Sequence, residues 1–312
     1  MHVVIPDDYQ DAVRGLACFS KLAGHTVTIH NDTVSSIDAL AARFADADAL
    51  VLIRERTAIT GDLLERLPRL KLISQTGKGT AHIDTDACAR RGVTVAAGTG
   101  FPYAPAELTW ALILASTRRI AREAEALRLG RWQTTLGTTV RGRTLGIYGY
   151  GKIGALVAGY GRAFGMNVIA TGREGSRTRA SNDGIPFTED LFAESDVLSL
   201  HLRLTPETRG IVTAGDLARM KPQSLLVNTA RAELIEPGAL ESALRNGRPG
   251  FAAVDVYEDE PAVDHPLLAL DNVLCTPHLG YVEKDSYELY FGHAFDAVVA
   301  FERDAKPANL SS

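Results

Sequence analysis

The 312-residue chain is short of cysteine, of uninterrupted apolar sequence and of charge concentrated in one sign. Its three cysteines, Cys18, Cys88 and Cys275, are odd in number and form no C-x-x-C pair. Neither a disulfide framework nor a zinc site is suggested, so no metal is expected, and the three read as small buried hydrophobes. The longest apolar run, around Ala111 to Ala115, is far too short for a bilayer, and the opening Met-His-Val-Val-Ile-Pro carries no basic leader. A cytoplasmic protein with no membrane partner is expected. The net charge of −5 is spread through interspersed acids and bases, which argues against nucleic acid as the main partner. Solenoid repeats and low-complexity tracts are missing too. What remains, 46% hydrophobic with 23% charged residues, is the composition of a globular enzyme. At about 150 residues per domain, the length suggests two domains.

The first hundred residues alternate apolar runs with helix-compatible segments. The strand-like runs are Val3 to Ile5, Thr26 to Ile29, Leu50 to Ile53, Leu70 to Ser74 and Val93 to Ala96. Between them lie candidate helices at Ala12 to Leu22, Ile37 to Phe44, Leu63 to Leu67 and Asp86 to Arg91. Such βα repetition predicts a parallel sheet covered by helices on both faces. From Ala106 to about Gly130 the chain reads as one long helix, apolar and then charged, fit to bridge domains or subunits. A second βα series follows, with strands at Leu145 to Tyr148, Asn167 to Thr171, Val197 to Leu202, Leu225 to Asn228, Ala252 to Val256 and Val273 to Thr276. The polar stretch Arg173 to Phe187 reads as a surface loop. Ser286 to Phe301 reads as a last helix that returns to the first domain.

The second series opens on Gly149-Tyr150-Gly151-Lys152-Ile153-Gly154, a G-x-G-x-x-G turn between a strand and a helix. Gly149 permits the tight turn, Gly151 lets phosphates approach the backbone, and Gly154 lets the helix pack on the strand. The helix N-terminus then faces an anion, here a dinucleotide pyrophosphate. An NAD-type site carries an acid at the end of the next strand, roughly 20 residues past the first glycine. In this chain that place falls on Gly172, followed by Arg173, with Ser176, Arg177 and Arg179 beyond. A guanidinium suits a 2′-phosphate, so NADP(H) is favoured. NAD(H) stays open if Glu174 reaches back to the ribose.

Ligands of doubly wound sheets bind outside the carboxyl ends of the strands. Three polar residues stand there: Arg231, Glu260 and His278. An Arg can grip a carboxylate with two prongs, and a His can hand a proton to a carbonyl oxygen. A carboxylate beside the ring would orient it and favour its charged form. Singly, each also reads as a turn or cap residue. His201, at the end of its strand, reads as a structural histidine rather than a rival acid/base.

Taken together, Asn228-Thr-Ala-Arg231, Asp255-Val-Tyr-Glu-Asp-Glu260-Pro261, Pro277-His278-Leu-Gly280 and the glycine loop resemble the motifs of the D-2-hydroxyacid dehydrogenase family. Lys71 to Gly79, His82-Ile-Asp84 and Ala106-Glu107 extend the resemblance over nearly the whole chain. It implies an α/β protein in which a Rossmann-type dinucleotide-binding domain, 100–282, is inserted into a flavodoxin-like substrate domain made of 1–99 and 283–312, with the site between them. It further implies that Arg231 binds the substrate carboxylate, that His278 is the acid/base and that Glu260 pairs with it. Backbone at Lys78 and Gly79 would complete the carboxylate site, Thr229 and Gly280 would line the cofactor site, and Asp255 would hold the nicotinamide carboxamide. A homodimer built through the long helix is also implied. Glu260 argues against the formate dehydrogenases of this superfamily, which have Gln there. Ala232, Arg203 and His82 depart from the family pattern without removing a catalytic group. Thr171-Gly-Arg173 is similar to the NADPH-preferring glyoxylate/hydroxypyruvate reductases. Arg54 and Arg56 resemble the anion-binding arginines of D-3-phosphoglycerate dehydrogenase, or form a solvated turn pair. With the sequence ending near residue 312 without a regulatory domain, feedback control by a product amino acid is not expected. A dinucleotide-sensing corepressor-like protein is the alternative from another class.

Overall fold

The computed structural model describes residues 1–305; positions 306–312, the end of the predicted 283–312 segment, lie outside the described residues. The chain folds as two compact units, one made of Met1–Phe101 and the chain from Val282 onward, the other of Pro102–Tyr281.

In the first unit β1 (His2–Ile5), β2 (Thr26–Ile29), β3 (Ala49–Leu52), β4 (Leu72–Gln75) and β5 (Thr94–Ala97) pair in parallel in the order β2-β1-β3-β4-β5. Strands β3 and β4 are buried along their whole length; β3 is accordingly apolar throughout, while β4 ends in the buried polar pair Ser74 and Gln75. Helices Ile37–Phe44, Gly61–Glu65 and Thr85–Arg90 begin at Ser36, Thr60 and Asp84, whose side chains each accept an N–H of the first turn. The last helix, Lys284–Ala305, packs on this sheet, where the Ser74 hydroxyl donates to the Ala294 carbonyl at 2.9 Å. Its Glu288 accepts from the N–H groups of Ala17 (2.6 Å) and Cys18 (3.0 Å). Ala12 to Leu22 is not one helix but two 3₁₀ turns, Val13–Gly15 and Ala17–Leu22. Leu16 between them is extended, and the Asp8 carboxylate takes the N–H groups of Ala12 and Val13 that a helix would leave open.

In the second unit β6 (Thr144–Tyr148), β7 (Asn167–Thr171), β8 (Val197–Leu200), β9 (Leu225–Asn228), β10 (Phe251–Val254) and β11 (Val273–Cys275) form a parallel sheet ordered β11-β10-β9-β8-β6-β7. A parallel bridge between Ala170 and Phe187 adds a rudimentary strand outside β7. The strand order thus runs outward in both directions from β6, and the reversal between β6 and β8 is where such sheets open a ligand crevice. One face is covered by helices Tyr103–Thr117 and Lys152–Ala163, which bring Trp110, Ile113 and Val157 onto Leu145 and Val227. The opposite face buries Leu217, Leu226 and Leu240.

Two expectations fail here. The helix from Ala106 to Gly130 starts earlier, at Tyr103, and breaks into Tyr103–Thr117 and Ile120–Arg128. Arg119 at the break is left-handed (φ 57°), with its guanidinium 3.5 Å from the Phe251 ring centroid, and the Thr117 hydroxyl turns back onto the Ile113 carbonyl. The stretch Arg173 to Phe187 is not a loop; Glu174–Asn182 is helical. That helix has no apolar stripe, and its supports are tertiary: Arg177 lies over the Phe187 ring at 4.4 Å, and Arg179 donates to the Tyr150 carbonyl at 3.0 Å.

Candidate active site

The glycine loop leaves β6 at Tyr148 and enters helix Lys152–Ala163 with Gly151 as its N-cap, uncapped by any side chain. Gly149 sits at φ 97°, and a Cβ there would lie 2.8 Å from the backbone of His201. A Cβ on Gly154 would lie 2.5 Å from the Gly149 carbonyl oxygen, so helix and turn can approach only without one. At Gly151 a Cβ would meet nothing within 4 Å. Open space in front of uncapped helical N–H groups fits the pyrophosphate of a dinucleotide. Tyr150 is buried, and its hydroxyl donates to Asp183 at 2.8 Å, which pins the loop to the helix after β7. Lys152 and Ile153 form the first turn behind the loop.

At the end of β7, Gly172 has φ 151°, where a side chain would be strained, and a Cβ would come within 3.1 Å of Ser176. The backbone therefore disfavours an acid at this position. Arg173 follows as an exposed residue whose Nη2 donates to the Thr205 hydroxyl at 3.1 Å. Glu174 pairs with Arg177 at 3.7 Å. His201, beside the glycine turn, bonds through Nε2 to the Ser199 hydroxyl at 2.9 Å, and burial lowers its pKa to about 4. A neutral imidazole held in this way matches the structural reading.

The three polar residues follow the neighbouring strands β9, β10 and β11. After β9, the Asn228 side chain donates to the Arg231 carbonyl (2.9 Å) and accepts from the Ala230 N–H (3.1 Å), which fixes the turn that presents Arg231. The Arg231 Nη1 donates to the Ala230 carbonyl at 2.7 Å. Thr229 meets Thr109 hydroxyl to hydroxyl at 2.7 Å. After β10, Glu260 accepts from the Tyr257 N–H at 3.1 Å with one oxygen and stands 2.7 Å from His278 Nδ1 with the other. Burial pushes the Glu260 carboxyl up, but the hydrogen bond and charge of His278, the Tyr257 N–H and the charge of Arg231 outweigh it and hold it below the ordinary value. With Nδ1 taken by Glu260, Nε2 of His278 is the nitrogen left for chemistry.

His278 is itself left-handed, at φ 52°. The turn that carries it is held from below by Asp255, which is fully buried. One Asp255 oxygen accepts from the Thr276 hydroxyl (2.6 Å) and the Leu279 N–H (2.7 Å), the other from the Gly280 N–H (2.9 Å). Burial raises the Asp255 carboxyl above its ordinary value, against these bonds and the charge of His278. This anchoring role is not legible in the sequence, because the partners lie 21 to 25 residues away.

The remaining candidates belong to the first unit. Gln75, a buried side chain closing β4, donates to the carbonyls of Arg54 (2.8 Å) and Gly79 (3.0 Å) and so ties the turn after β3 to the Lys78–Gly79 loop. Arg54 is left-handed (φ 55°) and packs against Gly77, with its guanidinium 5.7 Å from the Tyr290 ring. Arg56 is turned elsewhere, donating to the Asp7 carbonyl at 2.6 Å over the Tyr9 ring, so the two arginines do not act as one pair.

A sequence model described as the NAD binding domain of D-isomer specific 2-hydroxyacid dehydrogenase matches residues 110–280. The chain is 39% identical over 287 residues to the glyoxylate reductase of Aeropyrum pernix, covering 88% of this chain and 85% of that one. It is 39% identical over 272 residues to the D-3-phosphoglycerate dehydrogenase of Mycobacterium leprae, covering 83% of this chain but 51% of that protein, about half its length. Among solved structures, the phosphoglycerate oxidoreductase from Vibrio cholerae o395 matches at 55% identity and a TM-score of 0.95, covering 98% of this chain and 100% of that one.

Proposed function

The chain belongs to the D-isomer specific 2-hydroxyacid dehydrogenase family, an oxidoreductase family with a nicotinamide-binding domain, and from that premise we propose that it reduces a small 2-oxo acid to the D-2-hydroxy acid with NADPH. The observation that carries the reading is the His278–Glu260 pair at 2.7 Å, at the strand ends of the same sheet as the glycine loop. The chemistry that a nicotinamide cofactor supplies here is hydride transfer to the carbonyl carbon. Arg231 grips the substrate carboxylate and polarises the 2-oxo group. His278 gives the proton from Nε2 to the oxygen that becomes the hydroxyl, and Glu260 offsets the imidazolium charge until the proton is given up. Microscopic reversal oxidises the hydroxy acid.

We assign the unit 102–281 to the cofactor and the first unit, with Arg54, Lys78 and Gly79, to the substrate. Gly172 and Arg173 support the preference for NADPH, because no acid stands where it would repel a 2′-phosphate. Glyoxylate and hydroxypyruvate are the favoured substrates. 3-Phosphoglycerate is the second reading, favoured by Arg54 at the Gly77 turn. The corepressor-like alternative finds no support among the relatives and is set aside. Ile120, Leu127, Leu129, Trp132 and Leu136, exposed on and after helix Ile120–Arg128, support a homodimer. Among the described residues no helix is long and apolar enough to cross a membrane, and we keep a cytoplasmic location as part of the reading.

The test is a turnover screen of purified protein with glyoxylate, hydroxypyruvate, pyruvate, bulkier 2-oxo acids and 3-phosphoglycerate, each with both nicotinamide cofactors. The expected result is highest kcat/KM for glyoxylate or hydroxypyruvate with NADPH. Faster oxidation of 3-phosphoglycerate than reduction of either would overturn the substrate assignment.

A further inference from the structure

Beyond β8 the chain makes a tight turn that closes over the end of β7. The Thr208 hydroxyl donates to the Arg203 carbonyl at 2.7 Å, and the Thr205 N–H donates back to the Thr208 hydroxyl at 2.8 Å. Thr208 is buried and holds the backbone of the turn, which carries the residue before it. That residue is Glu207. Its carboxylate lies 3.8 Å from Nη2 of Arg173, the same nitrogen that donates to the Thr205 hydroxyl at 3.1 Å. Hydrogen bonding from the Thr205 hydroxyl, with smaller help from the backbone and from the charge of Arg173, holds the Glu207 carboxyl below the ordinary carboxylate value. An anion therefore stands beside the guanidinium that follows Gly172.

We propose that Glu207 is a specificity-determining residue of the cofactor site: its carboxylate competes for the Arg173 guanidinium with the 2′-phosphate that distinguishes NADPH from NADH. This rests on the reading that the adenosine end of the dinucleotide lies at the end of β7. A 2′-phosphate that engages Arg173 must take the guanidinium from Glu207 and then bear the neighbouring negative charge. A 2′-hydroxyl does neither. Glu207 thus narrows a preference that Gly172 and Arg173 would otherwise make wider.

The test measures dissociation constants of NADP⁺ and NAD⁺ by titration calorimetry for wild type, Glu207→Gln, Arg173→Ala and the double variant. Both side chains are more than half exposed, at 62% for Arg173 and 73% for Glu207, so folding is not at stake, and thermal unfolding checks this. Glu207→Gln is expected to tighten NADP⁺ by about three- to tenfold at low salt, to change NAD⁺ less than about twofold, and to lose most of the gain near 1 M salt, where the screening length falls to about 3 Å. The gain should shrink in the Arg173→Ala background. An unchanged NADP⁺/NAD⁺ ratio in Glu207→Gln overturns the proposal, and so does an equal tightening of both cofactors. If Arg173→Ala weakens NADP⁺ while Glu207→Gln changes nothing, the NADPH reading stands and Glu207 has no part in it. If wild type prefers NAD⁺ but Glu207→Gln still shifts the ratio toward NADP⁺, the NADPH reading fails and the role of Glu207 stands.

Discussion

Asp255→Asn would keep the shape of a buried side chain while removing what it does. The carboxylate accepts three hydrogen bonds, from the Thr276 hydroxyl, the Leu279 N–H and the Gly280 N–H. An amide offers one acceptor oxygen and places an NH₂ group against at least one of these donors. In the better orientation its oxygen keeps Thr276 and Leu279, and the Gly280 N–H loses its partner. A buried donor left unpaired costs about 1–3 kcal/mol, and the surviving bonds weaken because they are no longer charge-assisted, so roughly 2–4 kcal/mol is expected. The loss has a second consequence. His278 is held at φ 52°, a conformation that costs on the order of 1–3 kcal/mol and persists only while its surroundings enforce it. With the turn released, the ring should drift from Glu260, and a misplacement of about 1 Å can cost on the order of 10²-fold in rate. Denaturant unfolding without cofactor would give the stability change, and an NMR titration of the His278 ring in wild type and variant would report whether it still couples to Glu260. Unchanged stability together with an unchanged titration would refute the anchoring role.

Reduction should slow as pH rises, because His278 must carry a proton to donate one. Glu260→Gln weakens the 2.7 Å contact that orients the ring, so kcat should fall, and an unchanged kcat would uncouple the two residues. The Glu260 carboxyl is itself depressed, so its contribution is present above the ordinary carboxylate value and is lost only as pH falls through the lowered one; acid unfolding of Glu260→Gln against wild type would show this. His201 titrates near 4 in the fold against 6.5 unperturbed, so the unfolded chain binds the extra proton between those values. Stability should therefore rise with pH across that window, by up to roughly 3 kcal/mol, and His201→Asn should flatten the rise in denaturant midpoints. Arg231→Lys should fail to bind oxamate-like inhibitors, since a point charge does not reproduce a two-pronged grip; wild-type inhibition would count against the assignment.

The strands were legible because parallel sheets covered on both faces demand continuous apolar runs, and β3, β4, β8 and β9 are buried end to end. The glycine loop was legible because its spacing is tied to one backbone path. The break at Arg119 was not, since a left-handed arginine carries no Gly or Pro signal and is held by the Phe251 ring, 132 residues on. Helix Glu174–Asn182 was hidden for a related reason: it is polar all round, and what stabilises it lies in Phe187 and Tyr150. At the site, Arg231, Glu260 and His278 stood out as polar residues after apolar runs. Asp255 and Gln75 were harder to read as supports, because their work is to hold backbone groups that only the fold brings to them.

In the proposed reaction the imidazole of His278 transfers the proton and takes no part in holding the dinucleotide. The direct measurement is His278→Ala, followed both by steady-state reduction of the best 2-oxo acid and by calorimetric binding of the preferred cofactor. Turnover is expected to fall by about 10²–10⁴-fold while cofactor affinity stays near wild type. A variant that keeps more than about a tenth of wild-type turnover, against that range, would rule out His278 as the proton donor.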